Sequence, residues 1–281
     1  MGARERQAQA ERALHDQTNI LSGTQLIFAF TALSVTLLIN FIDQNGVSVA
    51  LPTIAADLHA QNTISWAGTT SLIANTSFQM LYGRLSDIFG RKVVYLAAVG
   101  LLVVADLLCG LSHSASMLYV FRGIAGIGGG GIANLTQIIV SDIVTLEQRG
   151  KYQGIIGAMV GIGNLIGPFL AAGFVQRGTW RGFFYTLAPL GFLAWTTAFW
   201  LLPTKPPVTR FREGLAKIDY AGVFASSTAV IFLLIPISGG GSYFSWDSPT
   251  VIAFLAIGSF FLLLFIVIEW KVAKLPMMPS K

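Results

Sequence analysis

Charge is what this sequence has least of. Aspartate, glutamate, lysine and arginine make up 11% of its 281 residues, against roughly 25% in an average soluble domain. That is too little to cover a globular surface in water. Cysteine is nearly absent as well: Cys109 stands alone inside an apolar stretch, so neither a disulfide framework nor a cysteine-based metal site is available. The three histidines, His15, His59 and His113, fall in separate polar segments with no metal-ligand spacing and no neighbouring nucleophile. This disfavours a metalloenzyme or a membrane-embedded hydrolase, and no enzymatic activity, metal or cofactor is expected. The formal net charge of +5 is dispersed in short clusters between apolar runs, a pattern of membrane orientation and not of nucleic-acid binding.

Apolar residues fill the space that charge leaves: 54% of the chain belongs to the hydrophobic set, and the mean hydropathy is +0.67. About 20 helical residues span the hydrocarbon core of a bilayer. Eight stretches of that order occur, at residues 24–49, 65–82, 93–111, 117–140, 152–175, 183–202, 220–237 and 249–268. The fold class read from them is an all-α polytopic membrane protein, with the lipid bilayer as its first partner. Residues 1–23 are a polar tail, unlike a signal peptide in their mixed charge. Residues 203–218, with Pro203, Pro206 and Pro207, are a linker dividing six spans (24–202) from two (219–269), and residues 270–281 form the end.

Lysine and arginine alternate across these spans. Arg4, Arg6 and Arg12 lie in the tail, and Arg84, Arg91 and Lys92 in the second loop. Arg149 and Lys151 lie in the fourth loop, Lys205, Arg210, Arg212 and Lys217 in the sixth, and Lys271, Lys274 and Lys281 at the end. The first, third and seventh loops have none, and the fifth holds only Arg177 and Arg181. Positive residues are retained on the cytoplasmic side, so both termini are expected there. Gly239, Gly240 and Gly241 close the seventh span into a flexible loop whose Tyr243, Phe244 and Trp246 suit an interfacial belt.

Ionisable groups inside hydrocarbon cost at least about 2.5 kcal/mol on insertion scales, which makes them functional candidates. Asp43 lies deep in the first span, Asp106 toward the outer end of the third, and Arg122 near the start of the fourth. Asp106 also reads as a headgroup-level residue and Arg122 as a snorkelling one, while Asp43 also fits a structural hydrogen bond between helices. Polar residues three or four apart form stripes: Ser71, Asn75 and Gln79; Arg122, Gly126, Gly130 and Asn134 beside Gln137; Gly157, Gly161, Asn164 and Pro168. Each stripe is a helix seam or a cavity wall. Asn75, Gln79, Asn134, Gln137 and Asn164 are the cavity candidates.

Two motif matches are rejected on context. Gly126-Ile127-Gly128-Gly129-Gly130-Gly131 satisfies a dinucleotide fingerprint but lies mid-span with no preceding strand. The glycosylation sequons at Asn75 and Asn134 fall inside the bilayer.

The segment Gly83-Arg84-Leu85-Ser86-Asp87-Ile88-Phe89-Gly90-Arg91-Lys92 is more specific. Gly83 and Gly90 permit a tight turn and close packing, Asp87 can cap a helix or pair with arginine, and Arg91 and Lys92 retain the loop inside. It resembles the cytoplasmic loop motif of the major facilitator superfamily. Phe121-Arg122-Gly123-Ile124-Ala125-Gly126-Ile127-Gly128 looks like that family's fourth-span motif, and Gly154, Gly163, Gly167 and Pro168 follow its fifth-span antiporter pattern. Ala171 and Ala172 stand where that pattern expects a glycine pair. Asp43 with Ala50-Leu51-Pro52-Thr53-Ile54 is similar to the first span of the fourteen-span drug:proton antiporters of fungi.

The resemblance implies a six-helix N-terminal bundle plus two linker helices, with Gly83, Asp87, Gly90, Arg91 and Lys92 as a cytoplasmic gate. It implies Asp43 and Arg122 as proton-coupling residues and the proton gradient as energy source. Its functional expectation is efflux of small amphipathic organic compounds by alternating access, from the plasma membrane in preference to the vacuole. Two alternatives stand beside it: a truncated, non-transporting or interaction subunit, and nutrient uptake by the same fold. The chain is expected to be one half of such a transporter, the other half supplied by self-association, a partner chain or a continuation.

Overall fold

The computed structural model describes residues 21, 23–203, 220–240 and 244–271. Most of the tail, most of the Pro-rich linker, the end beyond Lys271, and residues 241–243 of the glycine-rich loop lie outside the described residues. Among the described residues eight helices follow one another: α1 (Gly23–Asp57), α2 (Trp66–Phe89), α3 (Arg91–Gly110), α4 (Ala115–Ile143), α5 (Leu146–Gln176), α6 (Trp180–Leu201), α7 (Tyr220–Gly239) and α8 (Pro249–Lys271). Each coincides with one expected span. Most run past the apolar stretch, because helical hydrogen bonding continues through polar residues once the core has nucleated it. Seven helices are long and apolar enough to cross a bilayer; α2, with Ser71, Asn75 and Gln79 along one side, is the exception among the eight. This is a multi-pass membrane protein.

Local chemistry sets the breaks. Between α2 and α3 a single residue, Gly90, turns the chain at φ +92°, and its N–H donates to the Ser86 carbonyl. That left-handed conformation is strained for any residue with a Cβ. Gly83 behaves otherwise: it lies within α2, and an added Cβ would find only ordinary contacts, Asn134 and Ile138 at 3.8 Å. The expected tight turn thus falls at Gly90 and not at Gly83, whose packing leaves room for a Cβ. Ser114 caps α4 by accepting from the Met117 N–H, and Thr145 caps α5 by accepting from the Gln148 N–H, each at 3.3 Å.

Packing follows the small residues. α2 and α3 both lie against α4, α1 lies against α5 and α6, and α7 pairs with α8 while touching α2. On α4, a Cβ added at Gly128 would stand 2.8 Å from the Ala98 carbonyl oxygen of α3, and one at Gly130 would stand 2.6 Å from that of Asn75 on α2. A Cβ at Gly126 would fall on the Ser71 backbone. The glycine run is thus a double seam that admits two neighbours at backbone distance. Gly163 and Gly167 of α5 do the same against Leu38 and Ile42 of α1, whereas Gly154, Gly157 and Gly161 face open space.

Two apolar clusters result. One joins Leu33 and Leu37 to Tyr95, Val99, Ile132 and Ile139. The other joins Ile54 and Leu118 to Trp180, Phe183 and Phe184. The seam between them is where the polar residues of α1 and α4 meet. Gly128→Val should therefore lower the thermal midpoint of the detergent-purified chain by the equivalent of about 2 kcal/mol or more, as overpacking against backbone does. Gly154→Ala should leave the midpoint unchanged or slightly raised; unfolding followed by circular dichroism measures both.

Candidate functional site

Arg122 stands about two turns into α4 and is only 2% exposed. Its Nη1 donates to both carboxylate oxygens of Asp43 on α1, each at 2.8 Å, and its Nη2 reaches the Ser71 hydroxyl of α2 at 3.4 Å. Asp43 is 1% exposed. Three helices are thus joined at one guanidinium. The snorkelling reading of Arg122 is corrected: the side chain turns inward because the glycine face of α4 leaves room for it and Asp43 supplies the counter-charge. A second polar link runs beside the first. Asn40, fully buried, donates to the Gly129 carbonyl at 3.4 Å and accepts from Gln44 at 3.3 Å.

Arg122 also borders a cavity of about 220 Å³ between α1 and α2, whose polar walls are Gln44, Asn45, Ser48, Ser71 and Asn75. Of the five cavity candidates only Asn75 lines it. Gln79 and Gln137 are exposed elsewhere, and Asn134 ties α4 to α2 by donating to the Gln79 carbonyl at 2.6 Å. Asn164, also exposed, accepts from Asn45 at 2.8 Å and so braces a cavity residue from outside. The α1 residues Gln44, Asn45 and Ser48 join the site beyond the expected candidates, and the block Asn40 to Asn45 carries the signal for the first two: four polar side chains in six positions of an apolar span.

Asp106 is the larger correction. It is 1% exposed, on the face of α3 that buries Leu102, Ala105 and Cys109, while Val104, Leu107 and Leu111 take the outer face. The headgroup reading judged it by its distance from the end of the span. Its helical phase, in step with Leu102 and Cys109, pointed inward. Its carboxyl interacts with both Asp43 and Arg122.

The two ends of the bundle carry their own ion pairs. At the Gly90 end, Arg91 Nε meets Asp142 of α4 at 3.0 Å, its Nη1 meets Asp87 at 2.6 Å, and it also donates to Ser86. Asp87 therefore pairs with arginine and does not cap a helix. Lys92 lies over the Phe199 ring, 5.4 Å from its centre. At the opposite end, Asp57 accepts from Arg181 at 2.7 Å and from the Trp180 indole at 3.0 Å, and Arg181 also donates to the Ser112 carbonyl at 3.1 Å. No metal-binding cluster of His, Cys, Asp or Glu occurs among the described residues.

The family profile described as Major Facilitator Superfamily matches residues 33–275. The chain is 56% identical over 268 residues to "Citrate exporter 1" of Yarrowia lipolytica, covering 95% of this chain and 40% of that protein. It is 44% identical to "MFS-type transporter clz4" of Cochliobolus lunatus, covering 95% and 48%. To "Multidrug resistance protein fnx1" of Schizosaccharomyces pombe it is 37% identical, covering 85% and 45%. The chain thus spans about half the length of these relatives or less. The crystal structure of the human organic anion transporter MFSD10 shares its fold with a TM-score of 0.56 at 17% identity, over 90% of this chain and 73% of that one.

Removing the cation from a buried pair costs about 3–5 kcal/mol. Arg122→Met is expected to lower stability by that order in thermal unfolding, and Arg122→Lys to recover only part of it, since one ammonium cannot serve both Asp43 oxygens and Ser71 in the same geometry.

Proposed function

The chain belongs to the Major Facilitator Superfamily, and from that premise we propose that it forms one wall of a proton-coupled exporter of small organic compounds working by alternating access. The observation that carries this reading is the Arg122–Asp43 pair, buried at the edge of a polar cavity. A proton on Asp43 cancels the charge that holds Arg122 and so unties α4 from α1. The protonated and unprotonated proteins then differ in helix packing as well as in charge, and cargo that selects one of them couples its movement to the proton.

The second half-bundle, from a continuation of the chain or a partner, would close the cavity from the other side, with cargo bound at the interface near mid-bilayer. Gly83, Asp87, Gly90, Arg91 and Lys92 act in this reading as the cytoplasmic gate, with Asp142 as the anchor on α4. Both termini lie in the cytoplasm and the membrane is the plasma membrane. The carboxamide and hydroxyl lining of the cavity supports a small hydrogen-bonding cargo, and the 56% identity to a relative named as a citrate exporter supports an organic acid. A wider amphipathic cargo is the second reading, supported by relatives named as efflux pumps and multidrug resistance proteins.

Membrane vesicles carrying the chain, alone and joined to the remaining half of the citrate exporter relative, test this with radiolabelled citrate and a panel of amphipathic compounds. An imposed pH gradient should accelerate export, and Asp43→Asn should reduce that acceleration at least tenfold while sparing exchange of cargo across equal pH. An undiminished response to the gradient in Asp43→Asn would remove the pair from the mechanism.

A further inference from the structure

We propose that Asp106 is a second proton-holding carboxylate of the Arg122 site, sharing one proton with Asp43 and receiving the guanidinium when that proton sits on Asp43. The inference rests on the reading of Asp43 and Arg122 as the coupling pair and extends it to α3, where the sequence motifs place no functional residue.

The geometry shows unfinished hydrogen bonding on both sides. Asp106 Oδ1 is buried with no hydrogen-bond partner, and so is Arg122 Nε, a donor that the Asp43 contact leaves unused. An unmatched buried acceptor and an unmatched buried donor in one cluster are each costly, and an arrangement that joined them would satisfy both. The Asp106 carboxyl also feels the charges of Asp43 and Arg122. Two carboxyl groups share a hydrogen bond only when one of them carries a proton.

Charge balance gives the same answer. Among the described residues, the ionisable groups facing Asp106 are Asp43 on α1, Arg122 on α4 and, on its own helix, Cys109. Two ionised carboxylates beside one guanidinium would leave a net negative charge with almost no access to water, an arrangement proteins avoid by neutralising one group. One shared proton makes the cluster neutral.

The switch is then a short exchange. The Asp106 O–H bond breaks and an O–H bond forms on Asp43, so Asp106 becomes the carboxylate and Asp43 the acid. Arg122 shifts its donors from Asp43 to Asp106, where Nε and Oδ1 gain partners. No net charge enters or leaves the low-dielectric core, so the exchange avoids the penalty that separating the pair in hydrocarbon would incur. Because Arg122 also borders the cavity, the position of the buried proton is transmitted to the cargo space.

Infrared spectroscopy of the whole 281-residue chain in lipid nanodiscs reads this directly, through the carbonyl stretch of a protonated carboxylic acid at neutral pH. The wild-type chain should show one such buried acid, and Asp106→Asn should abolish its band. Asp43→Asn should abolish the same band, because Arg122 then takes Asp106 as its counter-ion. A band that survives Asp106→Asn places the proton elsewhere and overturns the proposal. So does a band that survives Asp43→Asn, since Asp106 would then not accept the guanidinium; this arm decides the matter even where Asp106→Asn fails to fold. Thermal unfolding supplies an independent reading. Each single asparagine variant keeps one counter-ion for Arg122, so the double variant should lose more than the sum of the singles, and strictly additive losses would contradict the exchange. These readouts need no transport. Loss of gradient response in Asp43→Asn with an unmoved band rejects Asp106 alone, and a lost band with full gradient response rejects only the coupling role of the pair.

Discussion

A guanidinium held away from water must be answered by opposite charge and by acceptors, or the helix that carries it will not stay in the bundle. The seating of Arg122 organises much of this molecule. Asp43 answers its charge from α1, Ser71 takes a further donor from α2, and Gly126, Gly128 and Gly130 thin the surface of α4 so that α2 and α3 come within backbone distance. The two apolar clusters close over the pair from either end of the bundle. A residue that costs free energy to bury therefore specifies register: a slip of α4 by one position would carry the cation off Asp43 and push glycine surfaces against side chains.

The pairs at the two ends are of a different kind. Arg91 with Asp87 and Asp142, and Arg181 with Asp57, are each a third to a half exposed. Pairs in that setting contribute roughly 0–1 kcal/mol each. Their weakness suits contacts that break and re-form in the proposed transport cycle, in which the central pair parts only on a change of protonation. Rigid seams flanked by weak polar clamps fit the proposed rocking of a half-bundle, with stiffness within the body and low cost at its rims.

Much of this is legible in the sequence. Spans of about 20 apolar residues separated by charge announce themselves, because bilayer thickness leaves little choice of length. The inward turn of Asp43 followed from its depth in the first span. Asp106 was harder, since depth and phase gave opposite answers and only phase was right; Leu102 and Cys109 at its helical neighbours held the clue. The polar stripes of α2, α4 and α5 divided in a way that spacing does not encode. Asn75 lines the cavity, Asn134 and the α4 glycines form a seam, and Asn164 braces Asn45. Which of two polar faces meets a neighbour depends on where that neighbour lies, a long-range fact outside any local window. Gly83 shows the converse, a motif glycine whose surroundings would accept a Cβ in this chain.

Cys109 sits fully buried beside this cluster, and the 281 residues hold no other sulfhydryl. Water-soluble maleimides applied to intact membranes would meet no native target in the conformation described. Reporter cysteines can thus be installed one at a time at helix ends or in loops without first stripping the natural side chain, which leaves the packing around Arg122 untouched while its neighbours are mapped.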